Sequence, residues 1–200
     1  MRYTRPRAEK GLRKSPIANG ASNLLHRISV RLFVCSGNHD WWSNDEITDT
    51  DANAGWLLKL GRAQVSSDNC VTQIGNVFVY CQYYAARAPF PVVETGHWIL
   101  VHHEPPAGCA AAIAGGSGAN LGSSYLRDQL RDALHPPLLV LSGHVLHLKS
   151  WRGPSGRSWV LNPCYDCEAS YPNHLIIDLT SGIVTSVSER KGEWPVKFLV

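Results

Sequence analysis

The sequence lacks an apolar run of about eighteen residues, which a membrane-spanning helix needs. It also has little charge: 18% of its residues are charged and 44% are hydrophobic, a balance that excludes a wholly disordered chain. Six cysteines in 200 residues are too few for a disulfide-dense mini-domain. No apolar stretch follows the charges of residues 1–14, so we expect no signal peptide, reduced thiols and a cytoplasmic location.

Acidic residues are almost missing from the start of the chain. Residues 1–31 hold eight Lys or Arg and one Glu, a net charge of +7, whereas the remainder holds eleven bases and fifteen acids, a net charge of −4. The basic character therefore belongs to a tail, and we expect no nucleic-acid-binding face on the body. We predict a disordered tail over residues 1–27 and one domain over residues 28–200.

Short apolar runs bounded by glycine, serine and proline predict a mixture of strands and a few helices. The predicted class is α/β or α+β, in packed layers. The glycine-rich stretch 110–122 has no Gly-Lys-Ser/Thr, so it is no phosphate-binding P-loop; a flap or a solvated loop fits its composition. The predicted helices are 52–60 and 124–134, and the predicted strands are 32–35, 70–73, 77–82, 98–101, 138–141, 159–161, 175–179 and 183–187. The second helix is amphipathic, and we expect Tyr125, Leu126, Leu130 and Leu134 on its apolar face.

Three of these strands run directly into loops that contain histidine. Residues 37–40 read Gly-Asn-His-Asp, residues 102–106 read His-His-Glu-Pro-Pro, and residues 143–147 read Gly-His-Val-Leu-His. The loops hold five of the nine histidines. Because loops at the carboxyl ends of sheet strands form ligand sites in α/β folds, we expect these side chains to converge. Imidazole nitrogens with Asn or Asp oxygens are ligands for a divalent metal.

In order and spacing, these loops resemble the motifs of the calcineurin-like metallophosphoesterases over residues 32–187, and Asn162-Pro163 is similar to the family's Asn-Pro stretch. The resemblance implies a four-layer αββα sandwich of two mixed sheets. It also implies two divalent metals, bridged by an aspartate and by a hydroxide that attacks phosphorus. The expected activity is hydrolysis of a phosphomonoester or phosphodiester substrate.

The resemblance also implies a role for each matching residue. Asn38, His103 and His144 would bind one metal. His39 would donate a proton to the leaving oxygen or stabilise its charge, and Asp40 would steady His39. A further histidine ligand belongs at position 146, where this chain has leucine. His147 comes one residue late, so it reaches the metal only if a bulge redirects it.

The family's first two motifs, Asp-x-His and Gly-Asp-x-x-Asp, occur nowhere in the chain, and Glu9 is the only acidic residue before Asp40. We therefore expect the fold to lack the family's first strand and helix, and the site to bind one firm Mn²⁺, Fe²⁺, Zn²⁺ or Ni²⁺ rather than two. Three explanations are open: a shortened or mis-started product, a degenerate relative kept for binding, or a half-site completed by a partner. The basic tail favours the first.

Two other functions compete with an impaired phosphoesterase. One is an inactive, phosphoesterase-like binding module, which an exposed sheet edge could allow to self-associate. The other is a zinc-dependent deaminase, because His102-x-Glu104 followed by Pro163-Cys164-x-x-Cys167 matches that pattern. Both halves of the deaminase pattern should open helices, but prolines follow each of them closely, so we rank this function lower.

Overall fold

A computed structural model of the protein describes residues 30–38, 65–84, 87–91, 93, 97–164 and 172–191. Several predictions therefore lie outside the described residues: the tail 1–27, the helix 52–60, His39, Asp40 and Cys167. The described part contains one α-helix, α1 (Ser124–Asp132), and a 3₁₀ turn at Ala110–Ala112. Its strands are β1 (Leu32–Phe33), β2 (Val65–Ser66), β3 (Cys70–Ile74), β4 (Val77–Gln82), β5 (Trp98–His102), β6 (Leu139–Leu141), β7 (Arg152–Ser155), β8 (Ser158–Leu161), β9 (His174–Thr180) and β10 (Ile183–Arg190).

The central element is a six-stranded mixed sheet with the order β3-β4-β5-β6-β8-β7. Strands β4, β5, β6 and β8 are parallel, and the antiparallel strands β3 and β7 lie at the two edges. Two smaller sheets, β1-β2 and β9-β10, complete the described strands. The α+β class predicted from the sequence is confirmed. The carboxyl ends of the four parallel strands share one edge of the sheet, and this edge carries the predicted site.

The central sheet is buried on both faces, because successive side chains of a strand point to opposite sides. In β5, Trp98 and Leu100 face α1, whereas Ile99 faces the other way, toward the β9-β10 hairpin. Leu175, Ile177 and other apolar residues of the hairpin pack on that second face. The described residues thus form a helix layer, the central sheet and a facing layer of smaller sheets.

Helix α1 begins where the sequence predicts and ends earlier. The Ser123 hydroxyl accepts a hydrogen bond from the backbone N–H of Leu126 at 3.2 Å and caps the first turn. Leu126 and Leu130 are buried against the central sheet. The prediction that Leu134 shares this buried face is wrong: it is 79% exposed. The helix ends at Asp132, because Pro136-Pro137 restricts the preceding backbone.

One strand prediction also needs correction. The strand predicted over 32–35 is only two residues long, since β1 pairs with β2 alone and outside the central sheet. The stretch 110–122 is divided in its exposure: Ala111 and Ala112 are fully buried in the core, whereas residues 115–121 are exposed. No helix in the described part of the chain is long and apolar enough to cross a membrane.

Candidate functional site

Three of the predicted site residues lie together beyond the carboxyl edge of the sheet. The Nε2 atom of His103 is 2.7 Å from the Oδ1 atom of Asn38 and 3.2 Å from the Nδ1 atom of His144. The two imidazole rings meet edge to face, with centroids 5.0 Å apart. One nitrogen atom of His103 is thus within hydrogen-bonding distance of both other side chains. We call Asn38, His103 and His144 the donor cluster.

The spacing within the donor cluster suits a single metal ion. Metal bonds to histidine nitrogen and amide oxygen are about 2.1 Å long, so ligand atoms at right angles stand about 3 Å apart. The observed separations of 2.7 and 3.2 Å bracket that value. The amide oxygen carries lone pairs, and each ring nitrogen carries one in the tautomer that leaves it unprotonated. Neutral imidazole with amide oxygen is a donor set for Zn²⁺, Ni²⁺ or Fe²⁺. These two separations, both measured from His103 Nε2, are compatible with one shared cation.

The loop that carries Asn38 is held by two hydrogen bonds to its neighbour Ser36. The backbone N–H of Ser36 donates to Oδ1 of Asp68 at 2.9 Å, and the Ser36 hydroxyl accepts from the backbone N–H of Tyr84 at 3.2 Å. Ser36 and Asp68 are both buried. This anchoring ties the Asn38 loop to the segments that follow β2 and β4, at the same edge of the sheet.

His103 follows directly on β5 and is enclosed by neighbours. A Cβ atom added to Gly37 would stand 2.8 Å from the Cε1 and Nδ1 atoms of its ring, so the ring lies against the Gly37 backbone. The Tyr84 ring forms a T-shaped pair with the His103 ring, with centroids 5.7 Å apart. The His103 carbonyl accepts a hydrogen bond from the backbone N–H of Gly143 at 2.9 Å. Contacts on several sides therefore fix the orientation of this imidazole.

His144 has an unusual backbone conformation. Its φ is +65°, a left-handed value that non-glycine residues adopt at a steric cost. The backbone N–H of Val145 donates to the carbonyl of Gly143 at 2.7 Å, which closes a three-residue turn with His144 at its centre. The buried side chain of Asn162 donates to Gly143 and Val145, the residues on either side of His144. The sequence around position 144 did not lead us to predict this turn.

The structure does not bring His147 into the donor cluster. In the part of the chain that is described, no hydrogen bond or ring contact joins its side chain to His103 or His144, and the side chain is exposed. Its carbonyl accepts a hydrogen bond from the backbone N–H of Gly115, while Lys149 donates to Ile113. This pairing holds the backbone over 147–149, with the His147 side chain exposed. His39 and Asp40, the predicted catalytic pair, lie outside the described residues.

Sequence reasoning assigned no role at the metal to Glu104, yet its carboxyl interacts electrostatically with His144. Half-burial raises the pKa of this carboxyl, and the nearby His144 acts in the opposite direction. Glu104 is the one acidic residue in the sequence 102–106, directly after His103. The position of this acidic residue, directly after the candidate ligand His103, was the sequence feature that could have indicated its place near the cluster.

The surroundings of His102 are those of a buried structural residue and not those of a metal ligand. Its ring is buried, and its Nδ1 atom is 2.8 Å from the carbonyl oxygen of Glu104. Burial lowers the pKa of His102 to about 4, so the ring is neutral. The thiol of Cys164, its partner in the deaminase pattern, donates to the carbonyl of Leu146. The described geometry gives no support to a zinc site that joins His102 to Cys164.

Within the described ranges, no group of three or more His, Cys, Asp or Glu side chains is arranged to hold a metal ion. The donor cluster falls short of that pattern because its third member is an asparagine. Nothing among these residues supplies the aspartates of a second metal site, and the sequence lacks both motifs that would carry them. The donor cluster therefore consists of two imidazoles and one amide, without a carboxylate.

No family model and no curated protein matches the chain. An uncharacterised protein of known crystal structure is similar to it in fold, with a TM-score of 0.53 and 13% sequence identity. The match covers 74% of this chain and 64% of that one, so this chain spans less than two thirds of the length of its structural neighbour. At this identity the likeness supports the α+β sandwich and carries no information about activity.

Proposed function

We propose that the protein is a metal-dependent phosphoesterase with impaired activity, resembling the calcineurin-like metallophosphoesterases. The observation that carries the proposal is the donor cluster: Nε2 of His103 lies 2.7 Å from Asn38 Oδ1 and 3.2 Å from His144 Nδ1. These residues come from three separate loops, in the order and spacing that the resemblance implies. A chance meeting of three such side chains at the ligand-binding edge of a sheet is a weaker explanation.

Each residue of the donor cluster has a definable task. His103 and His144 offer imidazole nitrogens, and Asn38 offers an amide oxygen, so that together they would hold a divalent ion. A bound metal supplies polarisation of a water molecule and of the phosphoryl group. His39, the next residue after Asn38, is our candidate for protonating the leaving oxygen, and Asp40 for orienting it.

Charge explains why we propose weak activity. Three neutral ligands leave the metal's two positive charges uncompensated, whereas a carboxylate bridge neutralises a metal pair and fixes the attacking hydroxide. Glu104 is the acidic group next to the cluster, and its raised pKa reduces the fraction that is charged at low pH. A phosphate ester would bring its own negative charge and so bind better than the metal alone.

The test uses the purified 200-residue chain, with metal content, Mn²⁺ affinity and turnover of an aryl phosphodiester as readouts. We expect one metal per chain and slow, metal-dependent hydrolysis. His103→Ala and His144→Ala should each weaken Mn²⁺ binding at least tenfold and abolish the turnover. His147→Ala is the matched control, because that exposed side chain lies outside the donor cluster, and it should change neither quantity.

Two results would overturn the proposal. Equal loss in the His147→Ala and His144→Ala proteins would show that the donor cluster is not the site. Two tightly bound metals with fast turnover would show that other residues, or a second subunit, complete a full centre.

The second candidate is a binding module without catalysis, and the missing acidic motifs favour it. It predicts a protein that binds one metal and inorganic phosphate but hydrolyses no ester above the metal-only background. The exposed edge strand β3, where Val71 and Ile74 are each 46% exposed, gives such a module a place for self-association. Sedimentation of the wild type against Val71→Lys would test that contact.

A further inference from the structure

Asn162 follows directly on β8 and is 1% exposed. Every polar atom of its side chain has a backbone partner. Its Nδ2 group donates to the carbonyl of Gly143 at 2.6 Å and to that of Val145 at 3.3 Å, and its Oδ1 accepts from the backbone N–H of Cys164 at 2.9 Å. A buried amide with both of its ends satisfied holds a fixed orientation.

The two carbonyls that Asn162 binds belong to the residues immediately before and after His144. Between them the chain makes a turn in which φ of His144 is +65°. Left to itself, a histidine prefers negative φ, because its Cβ crowds the carbonyl in the left-handed conformation. The turn has its own hydrogen bond, from the Val145 N–H to the Gly143 carbonyl, and the Asn162 amide spans it from one side to the other.

We propose that Asn162 is a positioning residue: by clamping the backbone on both sides of His144, it holds the left-handed turn that brings His144 Nδ1 to His103 Nε2. Without the clamp, the turn relaxes toward negative φ and the His144 ring leaves its partner. The metal-binding consequence rests on the function proposed above. The coupling between Asn162 and the His144 turn does not depend on that function.

The first experiment measures the metal-free protein. Nuclear Overhauser contacts between the rings of His103 and His144, whose centroids are 5.0 Å apart in the structure, should be present in the wild type and lost in Asn162→Ala. Ser158→Ala is the matched control: Ser158 is 1% exposed at the other end of β8, and its hydroxyl donates to the Pro137 carbonyl at 2.7 Å. It should lower thermal stability and leave the ring contacts intact.

The second experiment titrates the same proteins with Co²⁺ alone and follows its visible absorbance. Asn162→Ala should weaken Co²⁺ binding at least tenfold, and Ser158→Ala should leave it unchanged. In a His144→Ala background, Asn162→Ala should cause no further loss, since the residue that it positions is gone. If the wild type binds no Co²⁺, the proposed function fails, while the ring contacts still decide whether Asn162 positions His144.

A third experiment covers the case in which Asn162→Ala destabilises the fold. Glycine adopts positive φ at no steric cost, so the clamp is not needed in a His144→Gly background. Asn162→Ala should lower the unfolding midpoint less in that background than in the wild type. Equal lowering in both backgrounds, failure of both to fold, or retained ring contacts with unchanged Co²⁺ binding in Asn162→Ala would each overturn the proposal.

Discussion

The backbone of Gly37 lies directly against the imidazole of His103, and a Cβ at position 37 would stand 2.8 Å from two atoms of that ring. Real Cβ contacts are longer than this, so any side chain at position 37 displaces the ring. The ring can move, since it is a side chain and not backbone. The substitution would therefore disturb the site and not the backbone: His103 would turn away from Asn38, which lies one residue beyond Gly37.

Gly37→Ala should consequently weaken metal binding at the site without much change in the stability of the fold. We expect Mn²⁺ affinity to fall at least tenfold, while the free energy of unfolding changes by less than about 1 kcal/mol. Calorimetric titration and chemical denaturation measure the two quantities. Gly116→Ala is the control, because a Cβ there meets nothing within 4 Å. Unchanged metal affinity in Gly37→Ala would contradict the close approach.

Leu126, in the first turn of α1, and Leu134, two residues beyond its last residue, should differ strongly in their contribution to stability. Leu126 is 1% exposed in the core, whereas Leu134 lies beyond the helix and is 79% exposed. Leu126→Ala should destabilise the protein by about 2–5 kcal/mol, through lost burial and a cavity. Leu134→Ala should stay within about 0.5 kcal/mol of the wild type. Urea denaturation measures both, and a large effect of Leu134→Ala would place the end of the helix differently.

The cross-strand neighbours Cys70 and Cys81 should react very differently with alkylating reagents. They pair directly between β3 and β4, yet Cys81 is fully buried and Cys70 is only partly so. Burial raises the pKa of the Cys81 thiol to about 12, because the thiolate loses its solvation.

At pH 8, that pKa lowers the thiolate fraction of Cys81 on the order of 10³-fold relative to an ordinary thiol. Iodoacetamide should therefore label Cys70 first, and the Cys81 rate should rise with pH up to about pH 12. Peptide mass spectrometry of the native protein resolves the two sites. Equal labelling of both under native conditions would show that β4 opens more readily than its burial indicates.

Replacing both Cys164 and Cys167 with serine should leave the metal content of the protein unchanged. The expectation follows from the donor cluster, which contains no thiol, and from His102, whose ring is buried and bonded to its own loop. Elemental analysis of the parent and the double variant measures it. A tightly bound zinc that disappears with the cysteines, together with nucleoside deamination by the parent, would favour the deaminase.

The sequence predicted the meeting of His103 and His144 correctly, because both residues follow apolar strands of the same sheet. The apolar runs of β5 and β6 lead straight into His103 and His144, and since both strands are parallel their loops had to meet at one edge. The prediction for Leu134 was wrong because its spacing continues the apolar face of α1, although the helix ends before Pro136, which restricts the backbone. Helical period alone carries no information about where a helix must end.

Other features depend on contacts that no local pattern encodes. The exposure of His147 follows from backbone pairing with residues 113–115, more than thirty positions earlier. The left-handed turn at His144 has a positive φ, which is uncommon for residues other than glycine, and it is spanned by the side chain of Asn162, eighteen positions later. Long-range hydrogen bonds of this kind became visible only in the folded chain.

The wide spacing of the donor cluster along the chain has a kinetic consequence. Asn38 and His103 are 65 positions apart, and His103 and His144 are 41 apart. Contacts of such high sequence separation form after long loops have closed, so the cluster should assemble late in folding. Occupation of the cluster would then stabilise the native state more than the transition state. A bound metal should therefore lower the unfolding rate constant and leave the folding rate constant nearly unchanged. The site would then contribute to kinetic stability, by slowing the separation of the loops at the carboxyl ends of the strands.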